Sequence, residues 1–471
     1  MLFQRNKTRR HFFDGMPTNG AAADGDGTVI VIGAGAAGLS AARVLQAHGR
    51  EVVVLEGRDR IGGRLNTIEV GGGIVDEGGN WIHGAPANPL FDLAIDAGLD
   101  VEKDELLDPR QLVTHDGVTG RRVNPAKVLY LLLRTVLVVS RFGKESIHAS
   151  HAEANLAERI DVEVGRVRGD TAQRHYRALL RTVVDMIAAK ESQFLHPNAI
   201  ALNPDDGGTD YVITGGYRKF TERLAHGLDI RLGAGVEAIR YDDDGVTVET
   251  TNGQHRGSHV IVTAPIGVLQ AETIAFDPPL PDDKLTAIER VGAGVVEKVI
   301  MTFDEPFWQR TPDRPRSVFY ISDVLGEFPA FVDATQSAGC PMLVAFLTGE
   351  QLDAMADDPQ SFIDRAGEVL REIFPDTYEA PTDAHVTSWG TDPYSRCSYS
   401  TPTIGVTAAH YETLSEPVAG RVLFAGEATY RRHAGFVEGA IGSGIREARR
   451  LLGHEADLEL TTPNMSTKES Q

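Results

Sequence analysis

The sequence predicts an α/β fold in two domains, and three observations carry that reading. Two β-branched runs, residues 28–32 and 51–55, bracket a stretch of helical spacing at 36–47. A glycine-rich turn, 33–38, joins the first run to the helix. The chain has 471 residues, 42% of them apolar, which is enough to bury two cores.

The elements follow in chain order. Residues 1–27 are polar and rich in Gly, Ala and Asp, and are read as a disordered lead. The runs 28–32 and 51–55 are almost wholly apolar, as parallel strands buried on both faces must be. Residues 91–97, 174–189 and 217–225 have helical periodicity. Residues 236–250 read as a hairpin that reverses at Asp242-Asp243-Asp244-Gly245. A short strand follows at 259–263, and the last long helix spans 437–452. The most apolar helical stretch, 128–139, is interrupted by Arg134 and is read as a buried helix. It is too short to cross a bilayer, and no other run reaches the roughly 18 apolar residues a span needs. Residues 454–471 are polar and read as a flexible tail.

Charge and cysteine content exclude some partners. The net charge is −21. Nucleic acid needs a positive face, so it is not expected as a partner. A cationic small molecule suits such a surface better. Two cysteines, Cys340 and Cys397, allow neither a disulfide framework nor a cysteine-rich metal site, and no metal is expected. The run Thr8-Arg9-Arg10-His11-Phe12-Phe13 is similar to a twin-arginine export signal. The polar Asp14-Gly15-Met16-Pro17 follows it where an apolar stretch is required, so a cytoplasmic location is the expectation. Met16 is a second candidate start.

The chemistry begins at Gly33-Ala34-Gly35-Ala36-Ala37-Gly38. Gly33 permits the tight turn, Gly35 lets backbone approach a pyrophosphate, and Gly38 lets helix and strand pack closely. A phosphate then sits at the helix N-terminus, where free N–H groups and the dipole favour an anion. Glu56 closes the second strand, where an acid would bond ribose hydroxyls. Together these features predict dinucleotide binding in a Rossmann-like unit.

The next segment is Glu56-Gly57-Arg58-Asp59-Arg60-Ile61-Gly62-Gly63-Arg64. It resembles the second FAD fingerprint of the flavin amine oxidases, the family of monoamine oxidases, polyamine oxidases and lysine-specific histone demethylases. The resemblance implies FAD, with Gly63 against the pyrophosphate and Arg58 and Arg64 among the cofactor-binding residues. Asp76-Glu77-Gly78-Gly79-Asn80-Trp81-Ile82-His83-Gly84 is similar to a polyamine-oxidase run beside the flavin. It adds Gly79 and Trp81 to the cofactor set. His83 can exchange a proton or hydrogen-bond an amine near neutral pH, or serve as a structural histidine.

Further matches follow in family order. Val236 begins a hairpin whose backbone, in the family, contacts the adenine end. Residues 263–269 resemble a family strand end. Lys298 matches a lysine that in most members holds a water against the flavin. The run Asp392-Pro393-Tyr394-Ser395-Arg396-Cys397-Ser398-Tyr399-Ser400 resembles one in polyamine oxidases and histone demethylases. By that resemblance Tyr399 and Phe436 form two walls of an aromatic slot that favours an amine. Gly426, Glu427 and Val437 belong to the final FAD element. Monoamine oxidases attach FAD through a cysteine just before the cage tyrosine. Ser398 occupies that place here, with Cys397 one residue earlier, so non-covalent FAD is expected.

The resemblance therefore implies a Rossmann-like FAD-binding domain of discontinuous segments, 28–107, 206–295 and 385–453. Residues 108–205 and 296–384 make a substrate domain of mixed sheet with covering helices. The implied activity is FAD-dependent oxidation of a polyamine or related alkylamine to an imine, with O2 reduced to H2O2. An amino-acid oxidase of the same fold and a non-catalytic FAD-binding redox sensor remain alternatives. The lack of a long coiled-coil insertion and of a basic face counts against a demethylase-like chromatin protein.

Overall fold

The computed structural model describes residues 27–453 apart from 87, 105–109, 144–154, 203–208, 323, 325, 350–351 and 353–357. The readings of residues 1–26 and 454–471 lie outside the described residues.

A parallel five-stranded sheet forms the first layer. Its order is Asp229–Arg231, Val52–Leu55, Val29–Ile32, His259–Val262, Val422–Phe424. Val29, Ile30 and Val31 have no accessible surface, because helices and a second sheet cover both faces. The helix Ala36–Ala47 covers one face and packs against the helix Val437–Leu451. Glycines set that spacing: a Cβ on Gly444 would lie 2.1 Å from the Ala37 carbonyl oxygen. The other face meets a sheet that includes the hairpin Val236–Asp242 and Gly245–Thr250, whose turn is capped by Asp242 Oδ1.

A seven-stranded mixed sheet builds the second layer, in the order Asp383–Val386, Glu297–Thr302, Met342–Leu347, Ala330–Asp333, Ser317–Ile321, Leu112–Asp116, Arg121–Arg122. Its two faces carry separate cores, one under the helices Pro125–Gly143 and Asp170–Ala188, the other under Pro359–Ile373. Two small pairings join the layers near the candidate site. Trp81–Ala85 and Val101–Asp104 flank Thr209–Ile213, and Val291–Gly294 pairs with Tyr399–Pro402.

Most of the elements read from sequence match the observed ones to within a few residues. The helix at 36–47 coincides with Ala36–Ala47, and the hairpin turns where its acidic run placed it. The reading of 128–139 as a buried helix needs correction. That stretch belongs to a helix, Pro125–Gly143, but only one stripe of it packs, through Val128, Leu131, Leu132, Val138 and Phe142. Leu133 and Leu137 on the outward stripe are 58% and 71% exposed. The helix lies against a core on one side only, so hydrophobicity all round did not mean burial all round.

The glycine turn makes a checkable prediction. A Cβ on Gly38 would fall 1.9 Å from the Gly33 carbonyl oxygen, whereas one on Gly165 meets nothing within 4 Å. Gly38→Ala should lower the unfolding free energy by about 1–3 kcal/mol, read from the urea midpoint. Gly165→Ala should be neutral or slightly stabilising.

Candidate active site

The elements converge on a cavity of about 340 Å³ along the C-terminal ends of the parallel strands. Gly33, Gly35, Glu56, Arg58, Gly63, Arg64, Gly79, Val236, Gly426, Glu427 and Val437 line it, with Tyr399 and Phe436. Gly38 does not; it packs the helix onto the turn.

The cavity suits a dinucleotide. Gly33 takes φ +98°, and Gly35 caps the helix Ala36–Ala47 with no side chain over its first N–H groups. A Cβ on Gly35 would come no closer than 3.9 Å to any atom, so it would project into the cavity where a phosphate approaches. Glu56 is buried and accepts from the Ala34 and Arg58 amides at 2.7 and 2.9 Å. It thus ties the strand end to the turn. Arg58 pairs with Asp392, donates to Ser395 Oγ at 2.8 Å and lies 5.4 Å over the Tyr394 ring.

At the other end, Arg64 Nη1 donates to Glu427 Oε1 and to the Ser398 carbonyl, each at 3.0 Å. Glu427 also accepts from Ser400 Oγ at 2.5 Å and the Gly435 amide at 2.7 Å. One carboxylate therefore joins three distant segments. Although burial would lower it, the pairing with Glu427 raises the Arg64 pKa, so Arg64 stays a fixed cation.

Tyr399 and Phe436 both line the cavity. Gly435 stands beside Tyr399, so the loop carrying Phe436 is held against it. The Tyr399 hydroxyl donates to the Met186 carbonyl, and burial raises its pKa. It therefore presents a neutral ring. His83 meets Phe436 edge-on at 5.8 Å between centroids. Its Nδ1 is 3.2 Å from Asp210 Oδ2, and its side chain is 46% exposed. Burial would lower the His83 pKa, but the hydrogen bond and charge of Asp210, with Glu438 beyond, outweigh it and raise the value. Asp210 is correspondingly lowered.

Lys298 is buried behind this wall. Its Nζ donates to the Asp76 and Gly78 carbonyls at 3.0 and 2.8 Å. Desolvation brings its pKa down to about 8, against the raising effect of Asp76, Glu77 and Glu297. Lys298 lines a smaller cavity on the far side of the 76–81 segment rather than the large one.

Trp81 also lines the smaller cavity and is not in the lining of the large one. Its indole N–H is drawn to Asp104 Oδ2, 2.6 Å away on the strand Val101–Asp104.

Asp210 and Glu438 were not singled out from sequence. Asp210 belongs to an acidic, glycine-rich run that reads as a turn, and it lies 127 residues from His83. Glu438 directly follows Val437 in the first turn of its helix, where an acid also serves as a dipole partner.

Lys298 yields a pH-dependent stability prediction. Its folded pKa lies below its ordinary 10.5, so between about pH 8 and 10.5 the unfolded chain binds more protons. Stability from this group therefore rises with pH through that window. Lys298→Met should remove the rise, on the order of 3 kcal/mol, seen as the difference between the two stability–pH curves.

The chain is similar to known proteins in sequence and in fold. The family model for flavin containing amine oxidoreductases matches residues 36–452. Lysine-specific histone demethylase 1 homolog 3 of Arabidopsis thaliana is 32% identical over 94% of this chain and 31% of its own length. Homolog 2 of the same plant is 33% identical over 91% and 58% respectively. The chain thus spans well under two thirds of these curated relatives. Among solved structures, putrescine oxidase bound to putrescine superposes with a TM-score of 0.76 at 21% identity. That superposition covers 91% of this chain and 99% of the other. Such a likeness speaks for the fold. A flavin, FAD, is the cofactor the family implies, and the glycine cradle and cavity fit it. The chain belongs to the flavin-containing amine oxidoreductase family.

Proposed function

We propose that the enzyme oxidises a C–N bond of a polyamine or related alkylamine. The observation that carries this reading is the pair of carboxylates around His83. Asp210 pairs with His83, which meets the cavity-lining Phe436 ring edge-on, and Glu438 adds negative charge near His83. A protonated amine is drawn there, and aromatic faces accept its cationic or N–H end. The net charge of −21 supports the same preference for a small cation over nucleic acid.

FAD supplies the two-electron oxidation when bound in the large cavity. The chain's own residues orient and deprotonate. His83, held by Asp210, accepts a proton or hydrogen bond from the amine. Tyr399 and Phe436 confine it, and their apolar faces exclude water from the reacting carbon. Lys298, ionising near pH 8, exchanges a proton behind the wall. Overall, the secondary amine, O2 and water become an aldehyde, a smaller amine and H2O2.

The relatives' names favour a second reading, in which the alkylamine is a methylated lysine on a peptide. One experiment separates the two. Anaerobic protein is mixed in turn with spermine, spermidine, putrescine and a methyl-lysine peptide, and flavin absorbance is followed. Bleaching by the free polyamines is the expected outcome. Bleaching by the peptide alone would transfer the reading to lysine demethylation, and bleaching by neither would refute both.

Two further outcomes follow. Asp210→Asn removes what raises the His83 pKa, so the acid limb of kcat/KM against pH should move to lower pH. KM for a dication should rise about tenfold, the equivalent of one exposed charge contact. For the cofactor linkage, Ser398 Oγ is engaged with the Val296 backbone, and Cys397 is buried with its thiol pKa raised by desolvation. Acid precipitation should therefore leave the flavin in the supernatant.

A further inference from the structure

The smaller cavity has no part in the reading above. It measures about 50 Å³, room for a few waters at roughly 10–15 Å³ of probe-occupied volume each. Its floor is buried, with Lys298, Asp76 and Phe346, and its rim includes the exposed Lys103 and Gln336. Its lining therefore joins exposed residues to the Lys298 side chain, which is not part of the lining of the cofactor cavity.

Its polar lining is arranged in sequence from the outside inward. At the mouth, Arg316 Nη2 lies 3.5 Å from Asp104 Oδ1, with the two side chains 30% and 12% exposed. The other Asp104 oxygen accepts the Trp81 indole N–H at 2.6 Å. Trp81 stands 6.1 Å from Phe346, and Lys298 Nζ lies 5.9 Å from the same ring. An ammonium has three hydrogens to donate. Two go to the Asp76 and Gly78 carbonyls, and among the described residues none accepts the third. The cavity supplies the space for a water partner.

We propose that this cavity is a solvent channel serving Lys298 from the side opposite the cofactor, gated by the Arg316–Asp104 pair. Water enters past Arg316. The Lys298 ammonium gives its proton to a channel water, which passes one to the Asp104 carboxylate or to bulk. The Nζ lone pair is left in place and the reverse path restores the charge. A separate channel lets Lys298 exchange protons while the cofactor cavity is filled and dry. Trp81 and Asp104 act here as positioning residues for the channel.

The proposal takes from the preceding reading only that Lys298 exchanges a proton, and its test does not depend on any amine substrate. The full chain, with and without FAD, is reductively methylated with formaldehyde and dimethylamine-borane. Lys298 modification is followed by peptide mass spectrometry, with the other eight of the nine lysines as internal controls. Arg316→Ala opens the gate and Ser337→Phe, in the cavity wall, plugs it. The expected result is Lys298 labelling in the FAD-loaded chain, several-fold faster in Arg316→Ala and several-fold slower in Ser337→Phe. Complete protection of Lys298 by FAD in all three proteins would overturn the proposal, because access would then run only through the cofactor cavity. Equal rates in all three would overturn it as well. Should Ser337→Phe unfold, seen as loss of far-ultraviolet circular dichroism, Arg316→Ala alone decides between these results.

Discussion

The structure depends first on backbone brought too close for any side chain. At the turn after Val29–Ile32, a Cβ on Gly38 would overlap the Gly33 carbonyl, and Gly33 itself takes a φ open chiefly to glycine. This contact seats the helix Ala36–Ala47 on the sheet with its N-terminus facing the cavity. The neighbouring loop is locked to it by the Gly62 amide, which donates to the Ala34 carbonyl at 2.8 Å. Only backbone presented in this way can approach a diphosphate without a side chain intervening.

Charge completes what the glycines begin. Glu56 and Glu427 are both buried; Glu56 accepts from the Ala34 and Arg58 amides, and Glu427 from the Ser400 hydroxyl and the Gly435 amide. A buried carboxylate that lost these partners would cost several kcal/mol, so the pairing fixes the segments' relative positions. The Arg64–Glu427 bond joins residues 363 apart and closes the cavity at its deep end. The cofactor cavity is thus a product of tertiary closure, although every wall residue comes from a short local motif.

The substrate side follows a different logic. His83 and Trp81 share a strand face, yet they diverge in role because their acids differ. Asp210 holds His83 toward Phe436, while Asp104 draws the Trp81 indole toward the smaller cavity. Lys298 is set between two carbonyls and the Phe346 ring, where burial depresses its pKa. The two cavities therefore lie about one segment, residues 76–81, with Gly79 in the lining of the larger and Lys298 in that of the smaller.

Local rules in the sequence determined much of this. The strand–glycine turn–helix unit, the strand-end acid Glu56 and the hairpin at 236–250 are legible because a few neighbouring residues set backbone geometry by steric and hydrogen-bond constraints. The cavity-lining residues Arg64, Tyr399, Glu427 and Phe436 were legible only because their motifs resemble those of the family. Tertiary structure alone decided the rest. No sequence spacing pairs His83 with Asp210, or tells that Trp81 turns to Asp104, because those contacts join strands that meet only when the sheet forms. The outward stripe of the helix Pro125–Gly143 makes the same point. Its residues are as apolar as its buried ones, and only the position of the core decides which of them packs.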